Sequence, residues 1–216
     1  ANKWGLSSQL PANHHYKNDF NATYIPPVPL VSLSDQAGNG NDALQNDINR
    51  QPGYIENAVN GMPLVQFDGS NDVLDFENSI STIRSLFLVA ERKPGNRGFI
   101  LGHSNGYAFQ SGSTTMWNKS WTDPNLLNGT IRENGNWRDG MAQDYGTGSI
   151  TLTSIVTDGL VRGSNFSRDR DNEIYWRGTF AELLIYNEPL PTNFVRLVEG
   201  YLAHKWGLED SLTLSH

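Results

Sequence analysis

The chain has 216 residues, a length that suits one all-β domain, and it has no cysteine, which excludes a disulfide framework and a thiolate metal site. Its net charge of −7 argues against binding to nucleic acid or to an anionic membrane surface, because both need clustered Lys and Arg side chains. The longest apolar stretches have only the length of strands, so we expect no insertion into a membrane.

The chain opens and closes on the same motif. Residues 1–6 read Ala-Asn-Lys-Trp-Gly-Leu and residues 203–208 read Ala-His-Lys-Trp-Gly-Leu. Self-similarity over the length of a domain is typical of a tandem array. The repeat predicts three parts: a junction segment at 1–20 that repeats the end of a preceding copy, a domain at 21–208, and the start of a linker at 209–216. We expect Trp4 and Trp206 to pack at the junction between copies.

The predicted elements are mainly strands. A proline-rich extended segment at 26–29 comes first, followed by a turn-rich loop at 34–42. Seven short apolar or alternating segments follow, separated by Gly, Asn and Asp, a pattern that favours an antiparallel β-sandwich. These predicted strands cover 64–67, 73–76, 85–90, 98–101, 107–109, 149–156 and 180–186.

A C-terminal α-helix is predicted after Pro191. Thr192 is suited to cap its N-terminus, and Gly207 is suited to end it as a C′ glycine. Helical spacing predicts one apolar face on this helix. The predicted face consists of Val195, Val198, Tyr201 and Leu202.

Six segments carry a resemblance to a known family: 35–43, 61–72, 101–104, 166–170, 178–187 and 199–208. Together they resemble the bacterial laminin G-like, concanavalin A-like lectin and glucanase jelly-roll domain of large surface and secreted proteins. The resemblance implies an antiparallel jelly roll with one C-terminal α-helix, and it implies that Ca²⁺ is common in the fold or in its binding loops. It leaves function open, because the family includes lectin-like binders, polysaccharide-handling proteins and modules with no known ligand.

Glycan binding is predicted on two loop regions, 103–139 and 165–172. Trp117, Trp121 and Trp137 lie in polar sequence rich in Gly and Asn, and an exposed aromatic ring suits stacking on a sugar. The alternative for Trp117 and Trp121 is that they pin down a long loop. The predicted ligand-binding residues are His103, Ser104, Asn105, Trp117, Asn118, Trp121, Arg138, Asp139, Asn165, Arg168, Asp169, Arg170 and Asp171.

Calcium is predicted from three clusters of Asp and Asn, at 35–42, 68–72 and 165–172. Carboxylate, amide and carbonyl oxygens are the ligands that Ca²⁺ takes. The alternative is that these residues simply make turns. The predicted metal ligands are Asp35, Asn39, Asp42, Asp68, Asp72, Asp169 and Asp171.

Catalysis is the weaker hypothesis. Residues 102–106 form a Gly-x-Ser-x-Gly pattern, but strand and loop sequence follows it where a hydrolase would have a helix. Asp169 and Asp171 are spaced to face the same way on a strand, as glycoside hydrolysis needs paired carboxyls. No Glu-x-Asp-x-x-Glu run accompanies them, and the adjacent Arg168 and Arg170 favour ion pairs.

The sequence therefore predicts an extracellular, calcium-supported carbohydrate-binding module of a large bacterial surface protein. We expect it to mediate adhesion to glycans of a host cell, an alga or an extracellular matrix, to act without catalysis, and to be monomeric as an isolated domain next to other domains of its own chain. The first alternative is a spacer domain that binds nothing, and the second is a polysaccharide-acting hydrolase.

Overall fold

The structure is a computed structural model that describes residues 27–95, 98–106, 108–112, 114–144, 148–170 and 174–213, together with the backbone of 2–5. Its strands are β1 (Asn2–Gly5), β2 (Val28–Pro29), β3 (Ser32–Leu33), β4 (Ala43–Leu44), β5 (Gly53–Val59), β6 (Met62–Asp68), β7 (Leu74–Arg92), β8 (Leu101–Gly102), β9 (Thr130–Glu133), β10 (Asn136–Arg138), β11 (Thr151–Phe166) and β12 (Arg177–Tyr186). Its helices are α1 (Pro124–Leu127) and α2 (Thr192–Trp206), and 3-10 turns span Ile48–Arg50 and Glu209–Ser211.

The described strands form one antiparallel sheet. Its main path runs β10-β9-β11-β7-β12-β6-β5-β2, while β1, β3, β4 and β8 pair off this path. The long strands β7 and β11 pair in register from Ser85 to Ala90, and then continue past three register shifts to Leu74 opposite Phe166. The predicted all-β antiparallel sandwich with a C-terminal helix is thus confirmed, and α1 is an addition that the sequence pattern did not indicate.

Both faces of the central strands are buried. Along β7, Leu86 and Leu88 enter the main core, whereas Phe87 and Val89 pack against the layer that contains α2. This alternation follows from the period of two in a strand. Because both faces are buried, the segment is an unbroken apolar run in the sequence. Each fully buried side chain of this kind stabilises the fold by about 1.5–3 kcal/mol.

Helix α2 ends as predicted but begins differently. Gly207 has a φ of 67° and its N–H bonds to the carbonyl of Ala203, which makes it a left-handed C-terminal cap. Thr192 is not the N-cap: that position is Pro191, and no side chain caps the helix there. Within the predicted apolar face, Val195 and Leu202 are buried, whereas Tyr201 is 51% exposed. At about 100° per residue the buried stripe follows a different set of positions. That buried set is Val195, Glu199, Leu202, Ala203 and Trp206.

Two of the predicted strands are shorter or absent. The segment predicted at 98–101 is a strand only from Leu101, and the described part of 107–109 contains no strand. Tyr107 lies outside the described residues. The reason is aromatic packing, because Phe99 and Phe109 stack with ring centroids 5.4 Å apart and both rings contact Trp117. These apolar side chains are therefore buried from loops.

Two buried glutamates attach α2 to the sheet. Glu182 lies after a register shift in β12, and its Oε2 accepts hydrogen bonds from Lys205 Nζ at 2.7 Å and Trp206 Nε1 at 2.8 Å. Glu199 on α2 accepts from Arg132 Nε at 3.0 Å and from the Ser154 hydroxyl. Charged residues are seldom fully buried unless they are paired in this way.

Part of the predicted junction segment pairs with this sheet. The backbone of β1 runs antiparallel to β12, with Asn2 opposite Ile185 and Gly5 opposite Glu182. Residues 6–20 of that segment lie outside the described residues. In the closing copy of the motif, Trp206 ends α2 and is buried in the interior of its own domain, and packing between copies stays a prediction.

Candidate functional site

A polar cleft of about 330 Å³ lies where several loops meet the bend of β11. Its lining combines the loop after β8, the residue before α1 and one stretch of β11. The lining residues are His103, Asn105, Gly106, Asp123, Leu160 and Arg162. Clefts of this size with a few placed polar groups are where small ligands bind.

The first wall is the turn at 103–106, which β8 holds in place. Gly102 pairs with Asn165 of β11, and a Cβ atom on Gly102 would lie 1.9 Å from the carbonyl oxygen of Arg168. Only glycine allows the two backbones to approach so closely. Beyond it, the Ser104 N–H donates to Ser164 Oγ at 3.0 Å, which attaches the turn to the same strand.

The imidazole of His103 has a defined role in this turn. Its Nδ1 accepts a hydrogen bond from the backbone N–H of Asn105 at 2.9 Å. Burial, and after it the positive charge of Arg162, lower the pKa of His103 below its ordinary value of 6.5. A neutral ring that accepts at Nδ1 carries its hydrogen on Nε2, so His103 can offer an N–H donor there.

The floor and the second wall come from β11 and α1. Leu160 and Arg162 of β11 are both exposed. Asp123 caps α1 by accepting the Asn125 N–H at 2.8 Å, and the Asn125 side chain donates to the Leu160 carbonyl at 3.1 Å. Helix α1 is therefore fixed on the bend of β11 by side-chain to backbone hydrogen bonds.

An exposed tryptophan precedes this wall. Trp121 is 48% exposed and lies two residues before Asp123. Asn118 builds the turn that presents it, since its Oδ1 accepts the Ser120 N–H at 2.9 Å and its carbonyl accepts the Trp121 N–H at 3.2 Å. The guanidinium of Arg170 lies 5.6 Å from the centre of the Trp121 ring. The structure thus brings together residues from both predicted loop regions.

Trp117 does not belong to this surface. Its side chain is 1% exposed and packs against Phe99, Phe109 and the backbone at Gly140. The expectation that Trp117 stacks on a sugar is therefore wrong, because a ring enclosed by aromatic neighbours offers no free face. The alternative interpretation, in which it pins down the long loop, fits the packing.

The other predicted ligand residues have contacts within the fold. Arg168 bonds to Asp75 at 2.8 Å and Arg138 bonds to Glu133 at 3.3 Å. Asn165 is fully buried, and its Oδ1 accepts the Arg168 N–H. In the same way Asp139 accepts the N–H of Met141, and Asp169 accepts that of Ile174. Asp171 lies outside the described residues.

The acidic clusters predicted to bind calcium form turns. Asp35 accepts the backbone N–H groups of Ala37 at 2.9 Å and Asn39 at 3.2 Å, and Asp42 accepts that of Asp35 at 2.7 Å. Within the parts of the chain that the structure describes, no three His, Asp or Glu side chains form a group that could hold a metal ion. Asp35 and Asp42 thus accept hydrogen bonds from the backbone of their own loop, and calcium binding stays a prediction.

A second cleft of about 350 Å³ lies at the second of these clusters, 68–72, where β6 ends. Asp68 accepts the Ser70 N–H at 2.7 Å, and Asp72 accepts the Asp68 N–H at 2.8 Å. Burial raises the pKa of Asp72 to about 6, and the charge of Asp68 adds to this rise. Lys93 and Arg177 also line this cleft.

Sequence reasoning missed four lining residues of the first cleft: Gly106, Asp123, Leu160 and Arg162. Asp123-Pro124 is a helix-start signal that could have placed α1. No local signal places Arg162 in the cleft, because its direction depends on the register shifts between β11 and β7.

Comparison of the chain with protein-family models, with curated proteins and with solved structures finds no significant match. No helix within the described ranges is long and apolar enough to cross a membrane.

Proposed function

We propose that this chain is a carbohydrate-binding module of lectin type and that the cleft between His103 and Arg162 is its binding site. The observation that carries the proposal is the exposed ring of Trp121, held by a hydrogen-bonded turn two residues before Asp123 of the cleft lining. The family that the sequence resembles includes lectin-like binders, so the resemblance is compatible with this function.

The chemistry of the cleft suits a sugar. A pyranose ring has an apolar face that stacks on an aromatic side chain, and hydroxyl groups around its edge that need donors and acceptors. Trp121 supplies the ring. His103 Nε2, the Asn105 amide and the Arg162 guanidinium supply polar groups within one cleft. Because these groups are attached to β8 and β11, the site loses little conformational entropy when a ligand binds.

The proposed setting is an extracellular one, in a large bacterial surface protein that adheres to glycans. The repeated motif at 1–6 and 203–208 supports a multidomain chain. Calcium is proposed as a support of the fold, and the test is thermal: removal of calcium by a chelator lowers the melting temperature if an ion is bound, and leaves it unchanged if none is.

A glycan array probed with the purified chain tests the function. The proposal predicts a restricted set of bound glycans, with binding lost on Trp121→Ala and retained on Trp137→Ala. Trp137 is the matched control, because it is a still more exposed tryptophan at 68% and lies on β10, a strand that contributes no residue to the cleft, whereas Trp121 lies two residues before the lining residue Asp123. Equal loss from both variants would contradict the site.

The second candidate is a spacer domain, and one observation favours it. The closing motif, through Lys205 and Trp206, contacts only the interior of its own domain in the bonds it makes to Glu182. A motif whose bonds hold its own domain together fits a structural module that needs no ligand. Absence of binding across a broad array, from protein shown to be folded, would favour the spacer.

A further inference from the structure

We propose that the cleft selects an acidic glycan, whose carboxylate or sulfate group is bound by Arg162. This inference rests on the proposed carbohydrate-binding function and adds the chemical class of the sugar.

The charges that face the cleft are less acidic than those of the chain as a whole. The whole chain carries 23 Asp and Glu against 16 Lys and Arg, so a random surface cleft would be acidic. The lining of this cleft instead contains one arginine, one histidine and one aspartate. Arg162 is exposed on the floor, which leaves its guanidinium accessible to a ligand.

Asp123, the carboxylate of the lining, has a partner within its own loop. Asp123 Oδ1 accepts the N–H of Asn125 at 2.8 Å, and so caps the start of α1. Its negative charge is directed to that backbone, which weakens its competition for Arg162. The lowered pKa of His103 agrees with a positive local potential, because the charge of Arg162 contributes to that shift after burial.

Arginine is well suited to bind the acidic group of a sugar. A guanidinium presents a planar fork of N–H donors that matches a carboxylate or a sulfate with two parallel hydrogen bonds. Arg170, whose guanidinium lies 5.6 Å from the centre of the Trp121 ring, adds a second cation close to this aromatic side chain. A sugar stacked on Trp121 with its acidic group towards Arg162 would use the ring and the charge together.

The test compares matched pairs of oligosaccharides by titration calorimetry on the full chain. One pair is an oligogalacturonate and its carboxyl-reduced, neutral counterpart; the other is a sulfated oligosaccharide and its desulfated counterpart. We expect one acidic member to bind about 10–100-fold more tightly than its neutral counterpart, since hydrogen bonds to charged groups are the stronger class. The pair that shows the difference distinguishes a carboxylate from a sulfate.

Variants then assign the effect to Arg162. Arg162→Gln is expected to remove most of the preference for the acidic member while affinity for the neutral member changes little. Arg162→Lys, which keeps the charge but loses the fork, should retain part of it. Arg196→Gln is the matched control, because it makes the same change of charge at an exposed position on α2, the layer on the opposite face of the sheet from α1.

The outcomes separate this inference from the function on which it rests. Equal binding of acidic and neutral members overturns acidic selectivity and leaves carbohydrate binding intact. A preference that Arg162→Gln and Arg196→Gln reduce equally overturns the assignment to Arg162. Absence of binding to every member, with silence on a neutral glycan array, overturns the proposed function itself.

Discussion

Trp206 donates a hydrogen bond from its indole N–H to the buried carboxylate of Glu182, over 2.8 Å. Lys205 donates to the same oxygen atom at 2.7 Å. The Lys-Trp pair that recurs at both ends of the chain is therefore, in its closing copy, the anchor of α2 on strand β12. This contact gives the closing copy a structural role, and neither Lys205 nor Trp206 lines the cleft.

Trp206→Phe should lower the free energy of unfolding by about 1–3 kcal/mol. Phenylalanine fills much of the space but provides no N–H, so Glu182 loses one of its buried donors. Urea denaturation measures the effect. Trp137→Phe, on an exposed side chain, is the control and should change stability little. Equal stability of the two variants would show that the bond to Glu182 contributes nothing.

Glu199→Ala should cost about 3–5 kcal/mol, because it leaves Arg132 without its buried carboxylate partner. The Arg132 side chain is only 16% exposed, so water replaces that partner poorly. Glu209→Ala serves as the comparison, because it removes an exposed glutamate of the following 3-10 turn that bonds to His204 of α2. A loss of stability for Glu199→Ala no larger than for Glu209→Ala would argue against a role of this pair in attaching α2.

The stability of Asp72→Asn relative to the native chain should increase as the pH rises. The pKa of Asp72 is about 6 in the fold against an ordinary 3.8, so the folded chain holds this proton more tightly. The bound proton of Asp72 makes its whole contribution to the free energy of unfolding below pH 3.8. That contribution is lost as the pH rises through about 6. Asparagine cannot ionise, and its side-chain oxygen can still accept the Asp68 N–H.

Melting temperatures of the two proteins at pH 4 and pH 8 measure this effect. The difference in favour of Asp72→Asn should be larger at pH 8. Asp47→Asn, which replaces an exposed capping carboxylate, controls for the loss of one negative charge. The opposite sign at pH 8, seen only with calcium present, would instead identify Asp72 as a metal ligand.

Gly102→Ala should displace the turn at 103–106 and abolish glycan binding. The added methyl group would lie 1.9 Å from the Arg168 carbonyl oxygen, which is backbone and cannot rotate away. Overpacking of this kind costs about 1–3 kcal/mol. Gly200→Ala on α2 is the control, because nothing lies within 4 Å of its Cβ position. Full binding by Gly102→Ala would mean that the turn takes no part in the site.

The sequence predicted the sheet because its strands carry local signals. The run at 85–90 is apolar on both faces, and the structure buries both faces of β7 there. The cap at Gly207 was equally local, since a glycine after a helical pattern tends to end it.

The site was predicted only in part, because burial depends on partners that are distant in the chain. Trp117 and Trp121 have similar polar neighbours, yet Phe99 and Phe109 enclose the first and leave the second exposed. The direction of Arg162 depends on the shifted pairing of β11, and no composition rule reveals it.

Chemical-shift mapping of an isotope-labelled chain during titration with its best-bound glycan tests the central claim most directly. The account predicts that the largest shifts occur at the backbone amides of His103 and Asn105, at the Trp121 indole and at Arg162. Shifts centred on Trp137 or on the second cleft at Asp68 and Asp72 would place the site elsewhere and contradict the account.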